Sequence, residues 1–127
     1  MMLLDTRLLL WAAFEPGRLS AKATKALQSR DEPLVFSLAS LWEVAIKTSL
    51  GRPGFAVDTA LLHRALLAEG FVELPISAAH IARVASLPWV HRDPFDRLLV
   101  AQAAQEKLVL LTVDATLRRY GRFVRQV

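Results

Sequence analysis

The stretch His91-Arg92-Asp93-Pro94-Phe95-Asp96-Arg97-Leu98-Leu99-Val100-Ala101-Gln102-Ala103-Ala104-Gln105-Glu106-Lys107-Leu108-Val109-Leu110-Leu111-Thr112-Val113-Asp114 decides how this chain folds. Asp93 is suited to accept the unpaired amides of a helix start, and Pro94 suits the first helical position, so a helix is expected from there to Glu106 or Lys107. Leu108 to Thr112 is an apolar run without polar alternation, which reads as a strand buried on both faces. Such short runs alternating with longer amphipathic segments predict an α/β domain with a mainly parallel sheet.

Working outward, Met2 to Leu4 is expected to form a buried first strand, followed by a helix from about Thr6 to Ala13 that Glu15-Pro16-Gly17 breaks. Ser20 caps a second helix reaching about Arg30, and Pro33 introduces a strand, Leu34-Val35-Phe36. A helix over Leu38 to Leu50 ends at Gly51, a left-handed cap, and another spans about Asp58 to Glu69 with Gly70 as its stop. Phe71 to Ile76 is a strand, and Ser77 caps a helix from Ala78 to about Ser86. Asp114 starts a short helix ending near Gly121, and Phe123 to Val127 adds an edge strand. The 127 residues fit one domain, 1–127, with one core.

There is no cysteine, which excludes disulfides and thiolate metal sites. A mean hydropathy of +0.33 is high for so small a domain, so both faces of the sheet are expected to be covered and some apolar surface left for a partner. No apolar stretch approaches the roughly 18 residues of a membrane span, and the opening Met1-Met2-Leu3-Leu4-Asp5 lacks the basic region of a secretory signal. A cytoplasmic protein is expected. The net charge of +4 permits a polyanionic partner without identifying one.

Of twelve acidic residues, seven fall in turns, at helix starts or on polar faces, where solvated charge belongs. Asp5, Glu43, Asp93, Asp96 and Asp114 are placed differently. Asp5 ends the first strand and Asp114 follows the last clear one, and right-handed crossovers bring such ends to one sheet edge, where ligands bind. The helices carrying Asp93, Asp96 and Glu43 can reach the same edge. Each acid also has a purely structural reading. Asp5, Asp93 and Asp114 can cap the helices after them, and Glu43 can pair with Lys47 four residues on. Carboxylates converging without cations would repel one another, and a bound divalent metal resolves that conflict. Hard oxygen ligands suit Mg2+ or Mn2+. His63, His80 and His91 lack zinc-ligand spacing, and only His91 borders the acidic set.

Four segments, Leu3-Leu4-Asp5-Thr6, Ser40-Leu41-Trp42-Glu43-Val44-Ala45-Ile46-Lys47, Asp93-Pro94-Phe95-Asp96-Arg97-Leu98-Leu99-Val100-Ala101-Gln102-Ala103 and Leu111-Thr112-Val113-Asp114, resemble the PIN-domain family, most nearly its VapC-type toxins from bacterial toxin–antitoxin pairs. The resemblance covers nearly the whole chain. It implies a three-layer α/β/α fold and Mg2+- or Mn2+-dependent RNA cleavage. By the same resemblance Asp5, Glu43, Asp96 and Asp114 are the family's four acids, Asp93 an additional one and Thr112 a supporting hydroxyl. Arg7 departs from the pattern, since close relatives usually carry histidine there. An antitoxin whose tail covers the active site, and a homodimer, are also implied.

The expected reaction is hydrolysis of an RNA phosphodiester. Asp5, Asp96 and Asp114 serve as the main metal ligands, Glu43 orients a water, and Asp93 completes the acidic wall. Lys47, Arg52, Arg92 and Arg97, with Arg118, Arg119, Arg122 and Arg125, are candidates for RNA backbone contacts. Trp42 is expected in the core, while Trp11 lines a groove for a partner helix. The alternative is a non-catalytic module of the same fold that binds RNA or a protein partner. A phosphoacceptor receiver domain fits poorly, because the strand Phe71–Ile76 ends in Pro75-Ile76 instead of an acceptor aspartate.

Overall fold

The computed structural model describes residues 1–28, 31–53 and 55–127. In chain order its elements are β1 (Met2–Leu4), α1 (Thr6–Phe14), α2 (Ala21–Gln28), β2 (Leu34–Ser37), α3 (Leu38–Ser49), α4 (Thr59–Ala68), β3 (Val72–Leu74), α5 (Ala78–Val84), α6 (Pro94–Glu106), β4 (Val109–Thr112) and β5 (Val124–Gln126). Two 3-10 segments, Pro16–Arg18 and Ala115–Tyr120, link α1 to α2 and β4 to β5. The expected end of the second helix, at Arg30, lies outside the described residues.

The strands form one sheet in the order β3-β2-β1-β4-β5, and every neighbouring pair is parallel. The edge strand β5 therefore joins the same all-parallel sheet, its Gln126 in register with Thr112. Parallel neighbours require crossovers, and the helices supply them on both faces. Side chains alternate accordingly. Leu4, Leu34, Phe36 and Leu111 point into one core with Leu8 and Leu9 of α1 and Leu62 and Leu66 of α4. Leu3, Val35, Leu110 and Val124 point into the other, against Leu99, Val100 and Ala103 of α6. These are the three layers expected, although the apolar interior divides into two clusters. Burying a leucine of this kind is worth about 1.5–3 kcal/mol.

Strand order places the site. From β1 the chain steps outward to β2 and β3, then returns to the other side of β1 as β4. The carboxyl ends of β1 and β4 thus flank a topological switch point, where an open α/β sheet leaves a crevice. Each following helix opens on a side-chain cap: Asp5 for α1, Ser37 for α3 and Asp93 for α6.

Candidate active site

Asp5 sits at the switch point itself and is buried. Its Oδ1 accepts from the Leu8 amide at 2.7 Å, while Oδ2 accepts from Thr112 Oγ1 at 2.5 Å and the Val113 amide at 3.1 Å. The carboxylate therefore caps α1 and ties the end of β1 to that of β4. Burial pushes its pKa up, against the opposing pull of those three bonds and of the Arg7 charge. Thr112 Oγ1 in turn accepts from the Asp114 amide at 3.0 Å, so one hydroxyl holds two of the acids.

Glu43 arrives from α3. Thr6 Oγ1, one residue past Asp5, donates to Ser40 Oγ at 2.9 Å, and Ser40 lies one turn before Glu43 on the same helix face. Glu43 is buried, and its Oε2 takes a 2.6 Å ion pair from Lys47 Nζ. Its Oε1 is buried and has no hydrogen-bond partner among the described residues. A buried carboxylate oxygen without a donor carries an uncompensated desolvation penalty.

Asp93 and Asp96 come from the start of α6. Asp93 Oδ1 accepts from the amides of Phe95 at 2.8 Å and Asp96 at 3.0 Å, so the capping role is real. Asp96 accepts no hydrogen bond among the described residues, and His91 Nε2 stands 3.6 Å from its Oδ2. Burial, together with the charges of Asp93, Glu43 and Asp5, pushes the Asp96 carboxyl up to about 7, against a smaller opposing pull from His91. Asp114 begins the 3-10 segment after β4, its Oδ1 accepting from Thr116 N at 2.9 Å and its Oδ2 bonded to His91 Nε2 at 3.0 Å. Slight burial raises its pKa, but the bonds from Thr116 and His91 outweigh that and hold it below the usual carboxylate value.

All five acids line one cleft of about 790 Å³, together with Arg7, Trp11 and Lys47. Capping and convergence are thus not alternatives here: Asp5, Asp93 and Asp114 each do both. A ring nitrogen of His91 and carboxylate oxygens of Asp96 and Asp114 lie within 4.8 Å of one another, close enough for an ion to be shared among such atoms. Four aspartates, of which Asp96 accepts no hydrogen bond among the described residues, and a glutamate oxygen lacking a donor make a set that a divalent cation fits, because it would neutralise charge that the protein itself leaves uncompensated.

Two expectations are corrected. Arg97 is buried, and its guanidinium is spent inside the protein on Pro88 O at 2.9 Å, Val84 O at 3.1 Å and Tyr120 Oη at 3.1 Å, beneath the Trp89 ring. It is unavailable to RNA. Trp42 is 52% exposed, edge-on to Phe95, because its α3 neighbours Leu41 and Val44 take the core-facing positions. Arg52 and Arg92 are exposed, and Lys47 stands in the cleft beside Glu43. Trp11 lines the cleft, with the Arg18 guanidinium 4.7 Å over its ring. The sequence flagged His91 only as a neighbour of the acids, yet it bonds one of them. The linking pair Thr6 and Ser40 carried no signal that separates it from ordinary polar residues.

A doubly wound parallel sheet whose switch point opens into a cleft with a cation-compatible acidic cluster defines the class of protein. The chain belongs to the PIN domain family, whose model matches residues 2–123. It is 33% identical over 119 residues to Ribonuclease VapC22 of Mycobacterium tuberculosis, covering 93% of this chain and 90% of that protein. Its fold is similar to a chain of the VapBC2 complex of Rickettsia felis bound to a promoter DNA fragment, with a TM-score of 0.69 at 14% identity over 99% of this chain and 96% of that one. A toxin–antitoxin complex from Klebsiella pneumoniae gives 0.67 at 20% identity over 98% and 96%.

Proposed function

We propose that this protein is a divalent-metal-dependent endoribonuclease, one domain over residues 1–127, acting as the toxin of a toxin–antitoxin pair. The observation that carries the reading is the donorless Glu43 Oε1 buried in a cleft that also holds Asp5, Asp93, Asp96 and Asp114. Family membership and the similarity to a ribonuclease support it.

Asp96 and Asp114, with Asp5 behind them, would hold Mg2+ or Mn2+. When bound, such a cation supplies Lewis acidity toward the phosphate and lowers the pKa of water at the site. Glu43, which lines the cleft, would orient a water there or take its proton, while Lys47 keeps Oε2 in place. Asp93 anchors the first turn of α6 and so fixes Asp96. Lys47, Arg52 and Arg92 are available for phosphate contacts that offset the acidic wall.

Beyond its acids the cleft runs over Leu10, Trp11, Phe14, Phe55, Val57 and Leu61. An antitoxin segment with an apolar face would cover these and close the acidic end, and the Klebsiella pneumoniae relative was itself solved as a toxin–antitoxin complex. Exposed Trp42 and Trp89 give a second copy apolar surface for a homodimer. No helix among the described residues is long and apolar enough to cross a membrane.

Cleavage mapping on total RNA tests the reading. Wild type should cut at discrete sites with Mg2+ and stop with EDTA, and Asp96→Asn should lower the rate by about 10³-fold, the loss of several kcal/mol of charge stabilisation. Equal cleavage by wild type and variant would remove the assignment.

A further inference from the structure

We infer that His91 is a positioning residue of the cation site, a hydrogen-bond donor to Asp114 and not a ligand of the ion. The inference rests on the cation reading above. On distance alone His91 qualifies as a ligand, since its Nε2 lies 3.0 Å from Asp114 Oδ2 and 3.6 Å from Asp96 Oδ2.

The other ring nitrogen decides otherwise. The Asp93 backbone amide, which can only donate, points at His91 Nδ1 from 3.1 Å. Nδ1 therefore offers its lone pair, and the ring proton resides on Nε2. A protonated nitrogen has no lone pair for a metal. Histidines that bind metal have the reverse polarity, donating through the nitrogen away from the ion to a carbonyl or carboxylate. Ligation by Nε2 would move the proton to Nδ1 and set it against the Asp93 N–H, at the turn that opens α6.

The ring is held in this sense from behind. The His91 amide donates to Tyr120 Oη at 3.1 Å, and Arg97 Nη1 donates to the same oxygen at 3.1 Å while also binding Pro88 O. Buried Arg97 thus fastens the loop before α6, Tyr120 joins it to the segment after β4, and His91 delivers that rigidity to Asp114. With Thr116 N on Oδ1 and His91 Nε2 on Oδ2, both Asp114 oxygens are oriented and each keeps lone-pair capacity for an ion. The same N–H lies between two like charges and weakens their repulsion.

The test uses the full chain with Mn2+ and Mg2+ as probes. Long-range ¹H–¹⁵N correlation of the His91 ring should show the proton on Nε2 both without metal and with saturating Mg2+. Pulsed EPR of the Mn2+-loaded protein, with ¹⁵N-labelled histidine, should show no directly coordinated imidazole nitrogen. His91→Ala should weaken Mn2+ binding about 10–100-fold, the range for lost outer-shell partners, and His91→Gln, which keeps a donor, should recover part of it. A proton moving to Nδ1 on Mg2+ binding, or a coordinated ring nitrogen, would overturn the proposal, and neither reading depends on a variant that must fold. Unchanged affinity in His91→Ala, or glutamine no better than alanine, would overturn it too. Failure of wild type to bind Mn2+ at all would instead sink the nuclease reading, and this role with it.

Discussion

Asp5 and Asp96 are carboxylates of one cleft, yet the fold bonds the oxygens of one and leaves those of the other free of hydrogen bonds among the described residues. Asp5, at the end of β1, accepts three hydrogen bonds from Leu8, Thr112 and Val113, and holds two strands and a helix together. Asp96, in the first turn of α6, accepts none among the described residues and faces Asp93, Glu43 and Asp5. The oxygens of one carboxylate are bonded within the fold, and those of the other are left for something the fold does not contain. Structural and functional demands on similar side chains are thus separated by where the donors lie.

The comparison breaks most readily at Asp5. Replacing it with alanine strands a hydroxyl and two amides, so Asp5→Ala should cost about 3 kcal/mol in urea unfolding, at roughly 1–3 kcal/mol for each unsatisfied group with partial relaxation. Asp96→Asn should cost nothing in the metal-free protein. A metal-free Asp96→Asn protein as unstable as Asp5→Ala would show that the two acids are both structural.

Metal supplies the next test. Mg2+ at one hundred times its Kd should add about 2.7 kcal/mol to wild-type stability, seen as a raised Tm, and Asp96→Asn should lose most of that gain. A smaller effect separates the acids by pH. The folded-state value for Asp96 is raised to about 7 from an ordinary 3.8, so its contribution is fully present below the ordinary value and is lost as pH rises through 7. Metal-free wild type should therefore gain stability as pH falls from 8 to 5, and Asp96→Asn should gain less. Asp5 shifts in the same direction but is present in both proteins, and Asp114, held low, acts only below about pH 4. Identical pH profiles for the two proteins would dismiss the uncompensated charge.

The smallest effect is expected far from the cleft. Lys107 closes α6 with a left-handed φ of 57°, where glycine is easier, so Lys107→Gly should raise stability by at most about 1 kcal/mol and leave the Mg2+-induced shift in Tm unaltered. A changed shift would mean that the end of α6 is coupled to its beginning.

Much of the fold was legible because its signals are local. The cap Asp93-Pro94, the apolar run into Thr112 and the stops at Gly51 and Gly70 all mark elements found close to where they were expected. Convergence of the acids was legible as well, since parallel crossovers leave few places for strand ends to go. The errors were errors of direction. Arg97 looked like its exposed neighbour Arg92, but its side chain turns inward to four carbonyl or hydroxyl oxygens. Trp42 looked like core, but helix rotation gives that face to Leu41 and Val44.

Residue type, periodicity and punctuation belong to the chain, and from them alone follow a wound α/β sheet and an acidic set drawn to one edge. Tertiary structure alone decided which of those charges the protein satisfies, which oxygen of Glu43 lacks a donor, and which nitrogen of His91 bears its proton. Those properties depend on the angle and distance at which separate helices meet, and no local pattern encodes how a side chain is aimed once it is packed against elements remote in sequence.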